Sequence, residues 1–251
     1  MSSEKAIKLF DIRSTLTPQA WSPHVWRTRF VLNFKRLPYV TEWVAYPDIT
    51  EVLTEVGAPP TRTTEPLYTL PAIVDAMTDS PVIISDSTAI ADYLEDTYPE
   101  PSIYPHGRET QLSYVAKIGQ LVAIPMAFIV VPNTMKILPQ GRDVEYYVGS
   151  RKGIFGIDLD DMYNSKNEAE RWQQLEGGLE ELSTIVETIE HGDRWLFGTA
   201  EGPGYADFVL AAAFVWFRNA GPEDGWERLR TMNGGRWERF FKSALEYMQV
   251  L

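Results

Sequence analysis

The chain has no cysteine in its 251 residues. That absence excludes disulfides, thiolate metal sites and a cysteine nucleophile of its own. Histidine is nearly as scarce. His24, His106 and His191 stand far apart without metal-ligand spacing, so no metal is expected. Positive charge is in deficit as well, with 23 Lys and Arg against 35 Asp and Glu and a net charge of −12. Nothing would neutralise phosphates over a broad surface, so nucleic acid is not an expected partner. The opening Met1-Ser2-Ser3-Glu4-Lys5 lacks an apolar run, and no stretch reads as a membrane span of ~18 apolar residues. The expectation is a cytoplasmic protein with no membrane partner. The acidic run around Asp158, Asp160 and Asp161 lacks EF-hand spacing and reads as a solvated loop.

What is present suffices for one large or two modest domains with a sizeable core, at 44% hydrophobic and 23% charged residues. Residues 7–12 alternate apolar and polar and predict a first strand. Ser22-Pro23 opens a helix to about residue 36, serine as N-cap and proline at the first helical position. A second strand over 40–46 precedes a short helix over 48–56, stopped by Gly57 and Pro59-Pro60. Residues 72–74 and 82–84 pair around the turn at Thr78-Asp79-Ser80, and 88–98 form a helix. That order, βαβα then ββα, matches a thioredoxin-like half.

The proline-rich stretch 99–107 separates a first domain, 1–98, from a second, 108–251. The second is read as all-helical. A long apolar helix over 109–136 is interrupted by Pro125 and Pro132. Residues 139–164, with Gly141, Gly149, Gly153 and Gly156, show little periodicity and predict a long loop. Ser165 to Glu168 reads as a capping box opening an amphipathic helix to about His191. Residues 205–218 read as a buried core helix, and 236–250 as a last amphipathic one.

Three motifs bear on chemistry. Thr69-Leu70-Pro71-Ala72-Ile73 is a proline opening an apolar strand; thirteen residues after Ile73, Asp86-Ser87-Thr88 is a small polar entry into a helix. The third is Trp21-Ser22-Pro23-His24-Val25-Trp26-Arg27-Thr28-Arg29. On the residues alone, Ser22 and Ser87 are readable as plain N-caps, and Pro71 as a trans proline at a loop–strand junction. Together, and with Trp195-Leu196-Phe197-Gly198 and Gly204-Tyr205-Ala206-Asp207-Phe208, they resemble the glutathione transferase family. The resemblance is to its serine type: the fungal FuA class and the bacterial β-aryl-etherase-like transferases.

The resemblance implies the glutathione transferase fold, an α/β thioredoxin-like N-terminal domain followed by an all-α C-terminal domain that carries the hydrophobic-substrate pocket. It makes Ser22 the catalytic residue, its hydroxyl donating a hydrogen bond to the sulfur of glutathione. Pro71 is then cis, and the Leu70 backbone pairs with the cysteinyl part as an added strand would. Ser87 takes the γ-glutamyl carboxylate at a helix N-terminus, and Asp86 the γ-glutamyl ammonium. Arg62, the one cation between residues 57 and 70, is assigned to the glycine carboxylate. The absence of cysteine removes the variants that form a mixed disulfide with glutathione.

Candidate walls for a flat apolar electrophile are Trp21, Tyr46, Pro125, Met126, Phe128 and Ile129, the helix positions being equally readable as core. The long segment between Ile12 and Ser22 departs from compact family members and could line or cover that pocket. His24 is two residues from Ser22, so the two do not share a helix face, and Asp207 reads as a structural cap. The implied reaction is attack of glutathione thiolate on a hydrophobic aromatic electrophile, with aryl-ether cleavage as one form of it. The alternative is a non-catalytic ligandin that binds glutathione and aromatic or polyphenolic compounds. The family resemblance further implies a homodimer.

Overall fold

In the computed structural model the described residues are 6–187 and 194–251; His191 and the expected end of its helix lie outside them. The chain divides into two compact units. The first is Met1–Pro101, Leu138–Tyr147 and Tyr247–Leu251; the second is Ser102–Ile137 and Val148–Glu246.

The first unit is built on a four-stranded mixed sheet of order β2-β1-β3-β4. Strand β1 (Ile7–Ile12) is central and almost wholly buried, as expected of a strand packed on both faces. It pairs in parallel with β2 (Tyr39–Val44), from Ile7↔Tyr39 to Ile12↔Val44. A parallel pair needs a crossover, which helix α1 (Pro23–Phe34) supplies. Strand β3 (Ala72–Asp75) runs antiparallel to β1 with Phe10↔Ala72, and β4 (Val82–Ser85) antiparallel to β3 with Ala72↔Ser85. Helix α2 (Ile49–Glu55) ends before Gly57, whose φ of +75° is a left-handed value that glycine adopts freely. Helix α3 (Ser87–Thr97) follows β4. Strand β2 stops short of the predicted 46, because Pro47 has no N–H for a ladder; Tyr46–Asp48 form a 3₁₀ turn instead.

Two segments that the sequence assigns to the helical half cluster with this sheet. Residues 138–147 are one. The other is the tail 247–251, whose carbonyls accept from Asn33 Nδ2 (Tyr247 O at 2.7 Å, Gln249 O at 3.0 Å), from the Tyr39 hydroxyl (Gln249 O, 2.9 Å) and from Thr41 Oγ1 (Leu251 O). The predicted helix to 250 therefore ends early, at Ala244, with a 3₁₀ turn Leu245–Tyr247 after it.

The second unit is helical. Helix α4 (Arg108–Ile118) passes through a π turn (Gly119–Ala123) into α5 (Ile124–Thr134). The interruption expected of the prolines falls ahead of Pro125, since that residue cannot donate to the Leu121 carbonyl one turn earlier. The run 108–137 contains an 18-residue window apolar enough to cross a membrane by length and composition, which the sequence reading did not find; its helices pack on α8 and α9. The predicted loop 139–164 is instead mostly α6 (Arg142–Phe155) and α7 (Leu159–Met162). Its interior glycines, Gly149 and Gly153, face open space, where a missing Cβ forfeits no contact. Helix α8 (Glu168–Glu187) begins three residues after the expected cap, and Asn164 and Asn167 take the role assigned to Ser165.

Helix α9 (Tyr205–Ala220) is buried along nearly its whole length. Asp207 closes its entry by accepting from Leu196 N (2.8 Å), Phe197 N (3.1 Å) and Gly204 N (2.9 Å). Gln111 fills the space beside Gly204: a Cβ on Gly204 would lie 2.5 Å from Gln111 Oε1, which already accepts from Ala206 N. Helix α10 (Gly225–Ala244) contains a break at 232–235, so the final helix expected from 236 is preceded by another that the sequence did not show.

Gly178 of α8 and the Leu121 carbonyl, to which Pro125 has no N–H to donate, meet directly: a Cβ on Gly178 would sit 1.7 Å from Leu121 O. Gly178→Ala is expected to lower the unfolding free energy by about 3 kcal/mol through overpacking. The neighbouring Gly177→Ala meets nothing and should raise stability by up to ~1 kcal/mol through helix propensity. Denaturant midpoints of the two variants check the pair, and equal shifts would refute this contact.

Candidate functional site

The sheet register decides which loops share a neighbourhood. Phe10 is opposite Ala72, and Ala72 opposite Ser85. The carboxyl end of β1, the start of β3 and the end of β4 therefore lie at one end of the sheet, and the segments leading to Ser22, from Leu70-Pro71 and into Asp86-Ser87 emerge there. Crevices at the carboxyl ends of sheet strands are where ligands bind in α/β folds.

Ser22 is the N-cap of α1, with extended backbone (φ −62°, ψ 123°) and Pro23 behind it, and its side chain makes no capping bond. The cap reading of Ser22 thus fails in one respect: the residue occupies the position, but the hydroxyl is not spent on the helix. It is 4% exposed, at the positive end of a 12-residue helix. His24 is exposed.

The Leu70–Pro71 peptide bond is cis. Among the described residues no hydrogen bond takes up the Leu70 N–H or C=O, whereas Pro71 O accepts from Asp86 N at 3.3 Å and ties the first motif to the second. Asp86 is the N-cap of α3: its Oδ1 accepts from Thr88 N (2.8 Å) and Ala89 N (3.0 Å), with φ at +81°. Ser87 is therefore the first helical residue rather than the cap, and it is buried. Arg62 lies exposed in the loop after α2, anchored through its backbone N–H to Leu67 O at 3.2 Å.

Around Trp21 and Tyr46 the first unit contains more than the sequence predicts. The two rings lie 6.4 Å apart, and Tyr46 also meets Tyr146 (5.7 Å) and Tyr147 (5.6 Å) of α6. Asp143, one turn before Tyr147, is fully buried. It accepts from Arg13 Nε (3.1 Å), Arg13 Nη2 (2.5 Å) and the Tyr46 backbone N–H (3.0 Å). Burial works to raise its carboxyl, but the hydrogen bonds from Arg13 and Tyr46 hold it below the usual carboxylate value. The same bonds raise the Arg13 guanidinium. These residues escape sequence analysis because glycines obscure the period of α6; the spacing of Asp143 and Tyr147, one helical turn apart, is the signal that was available.

The remaining expected wall residues belong to the second unit. Met126 and Ile129 are fully buried in it, whereas Pro125 and Phe128 are half-buried. Phe128 lies 6.3 Å from Phe155, and the Arg171 guanidinium is 4.3 Å from its ring centre.

Comparison with known proteins agrees with this geometry. Residues 21–97 match the family model for the N-terminal domain of glutathione S-transferase, and 110–247 that for its C-terminal domain. The glutathione S-transferase-like protein ustS of Aspergillus flavus is 30% identical over 99% of this chain and 93% of its own. Among solved structures, glutathione transferase GSTFuA3 of Phanerochaete chrysosporium is similar at 34% identity and a TM-score of 0.88, covering 98% of each chain. A glutathione S-transferase of Ceriporiopsis subvermispora in complex with glutathione is similar at 31% identity and a TM-score of 0.87, covering 98% of this chain and 99% of its own.

Asp86 does measurable structural work whatever it binds. Asp86→Ala should cost about 1 kcal/mol from the lost cap, added to the strain of alanine at positive φ. Asp86→Asn should retain most of the stability, since an amide oxygen accepts the same N–H groups. Thermal unfolding of both variants reads the difference, and equal losses would contradict the capping role.

Proposed function

The chain belongs to the glutathione S-transferase family, and on that premise we propose that it activates the thiol of glutathione through Ser22 for attack on hydrophobic aromatic electrophiles. The observation that carries the reading is the Ser22 hydroxyl, which stands at the head of α1 without capping it. A free thiol titrates near ~8.5 and is mostly protonated at neutral pH. A hydroxyl donor and the positive end of a helix both favour the thiolate. Lowering the thiol by about one to two units takes roughly 1.4–2.7 kcal/mol, within reach of one donor and a helix dipole. Serine here stabilises the nucleophile and forms no bond to the electrophile. The thiolate sulfur attacks carbon, the S–C bond forms as the leaving group departs with its electron pair, and the thiol proton has already passed to solvent.

The other anchors support the same ligand. The Leu70 N–H and C=O, which no hydrogen bond takes up among the described residues, offer one rung of a β-ladder to the cysteinyl part. The N-terminus of α3, with Ser87 in its first turn, suits a carboxylate. Asp86 supplies an anion for the ammonium, and Arg62 remains the proposed partner of the glycine carboxylate. The solved relative in complex with glutathione, at 31% identity, supports glutathione as substrate. Trp21 and Tyr46 are the proposed walls that share the first unit with Ser22, and aryl ethers are among the electrophiles they suit.

Ser22→Ala is expected to lower conjugation of 1-chloro-2,4-dinitrobenzene about ten- to hundredfold, the rate equivalent of roughly 1.4–2.7 kcal/mol, while glutathione still binds. Ser87→Ala should weaken glutathione roughly tenfold in calorimetric titration. Wild-type protein that binds glutathione and aromatic compounds but turns over no electrophile would point to a ligandin. Wild-type protein that does not bind glutathione would sink the transferase reading.

A further inference from the structure

Asp143 joins three segments of the first unit that are distant in sequence. Arg13 begins the long connection from β1 to Ser22. Tyr46 follows β2. Asp143 itself stands in the first turn of α6, with Tyr146 and Tyr147 one turn on. A carboxylate at 0% exposure that accepts three hydrogen bonds, two from one guanidinium and one from a backbone N–H, fixes both donors in direction as well as distance. With its backbone held, the Tyr46 ring becomes the hub of a four-ring cluster: Trp21 at 6.4 Å, Tyr146 at 5.7 Å and Tyr147 at 5.6 Å. Trp21, Tyr46 and Tyr147 are buried, and half-buried Tyr146 is the ring that brings the cluster to the surface. Trp21 immediately precedes Ser22, so the cluster begins at the residue next to the hydroxyl.

We propose that Tyr146 is a specificity-determining contact for the second substrate and Asp143 its positioning residue, so that this surface selects planar aromatic electrophiles over aliphatic ones. The proposal rests on the transferase reading. The contact falls to Tyr146 because Tyr147 is fully buried while Tyr146 is only half-buried beside Tyr46. Flat rings gain from offset or tilted stacking on such a surface, and an aliphatic electrophile of similar reactivity does not. Asp143 acts at one remove. Neutralising it releases Arg13 and loosens the Tyr46 backbone, so that the hub ring no longer holds one orientation.

The test compares 1-chloro-2,4-dinitrobenzene with iodoacetamide as electrophiles for wild type, Tyr146→Ala, Asp143→Asn and Arg13→Gln, each checked for folding by thermal unfolding. The ratio of kcat/KM for the aromatic over the aliphatic electrophile should fall about tenfold (about 1.4 kcal/mol) in Tyr146→Ala. It should fall in the same sense in the other two, through a raised KM for the aromatic with kcat little changed. Arg13→Gln combined with Asp143→Asn should be no worse than either alone. An unchanged ratio in folded Tyr146→Ala, or equal losses for both electrophiles, overturns the proposal. Glutathione titration of wild type separates this from a failure of the transferase reading. Binding of unreactive 2,4-dinitrotoluene, measured without glutathione, tests the surface by itself: equal affinity in wild type and Tyr146→Ala also overturns the proposal.

Discussion

The ion pair between Arg29 and Asp11 holds the first unit together around its central strand. Both side chains are buried, and Arg29 Nη2 donates to Asp11 Oδ2 at 2.8 Å. The other terminal nitrogen, Nη1, donates to the Tyr39 hydroxyl (3.2 Å) and Thr41 Oγ1 (3.0 Å) of β2. The rings of Trp26, Tyr39 and Trp43 surround the guanidinium at 5.5 to 5.8 Å. One side chain thus binds α1 to β1 and β2. Through the two hydroxyls it also reaches the tail, because those same groups donate to Gln249 O and Leu251 O. A buried charge left alone by removal of its partner costs about 3–5 kcal/mol, which makes the orientation of α1 over the sheet hard to change.

That constraint matters for chemistry because α1 carries Ser22 at its head. A hydroxyl and a helix dipole lower a thiol's proton affinity only if they hold their position when the thiolate forms. The ion pair fixes the helix, and the β1–β3–β4 register fixes the loops that face it. The proposed glutathione anchors are mostly backbone groups and helix ends. The aromatic surface is made of side chains from three separated segments. The two halves of the proposed reaction are therefore held by different physics: backbone geometry for glutathione and ring packing for the electrophile.

Much of the first unit was legible in sequence because its signals are local. Alternation marks β1, Ser22-Pro23 marks the start of α1, and Gly57 marks the end of α2. Leu70-Pro71 and Asp86-Ser87 were legible as a pair, through their resemblance to a family. Helix α6 was not legible. Gly149 and Gly153 face open space, so they suppress the helical period without cost to packing, and the segment read as a loop. Its contribution to the first unit, Asp143 with Tyr146 and Tyr147, was lost with it. The same limit applied to Gly178 and Gly204: their absence of a side chain answers to Leu121 and Gln111, neighbours that no sequence window contains.

By itself the sequence determined the class of fold, the order of the elements in the first hundred residues and the family, and it named Ser22, Pro71, Asp86 and Ser87, because caps, turns and periodicity act over a few residues. Only the tertiary structure decided that the Ser22 hydroxyl is free of its helix, that Asp86 rather than Ser87 caps α3, and that Tyr146 and Tyr147 stand with Tyr46. The last of these depends on contacts that cross about a hundred residues of chain, as between Tyr46 and Asp143, and such contacts leave no local pattern.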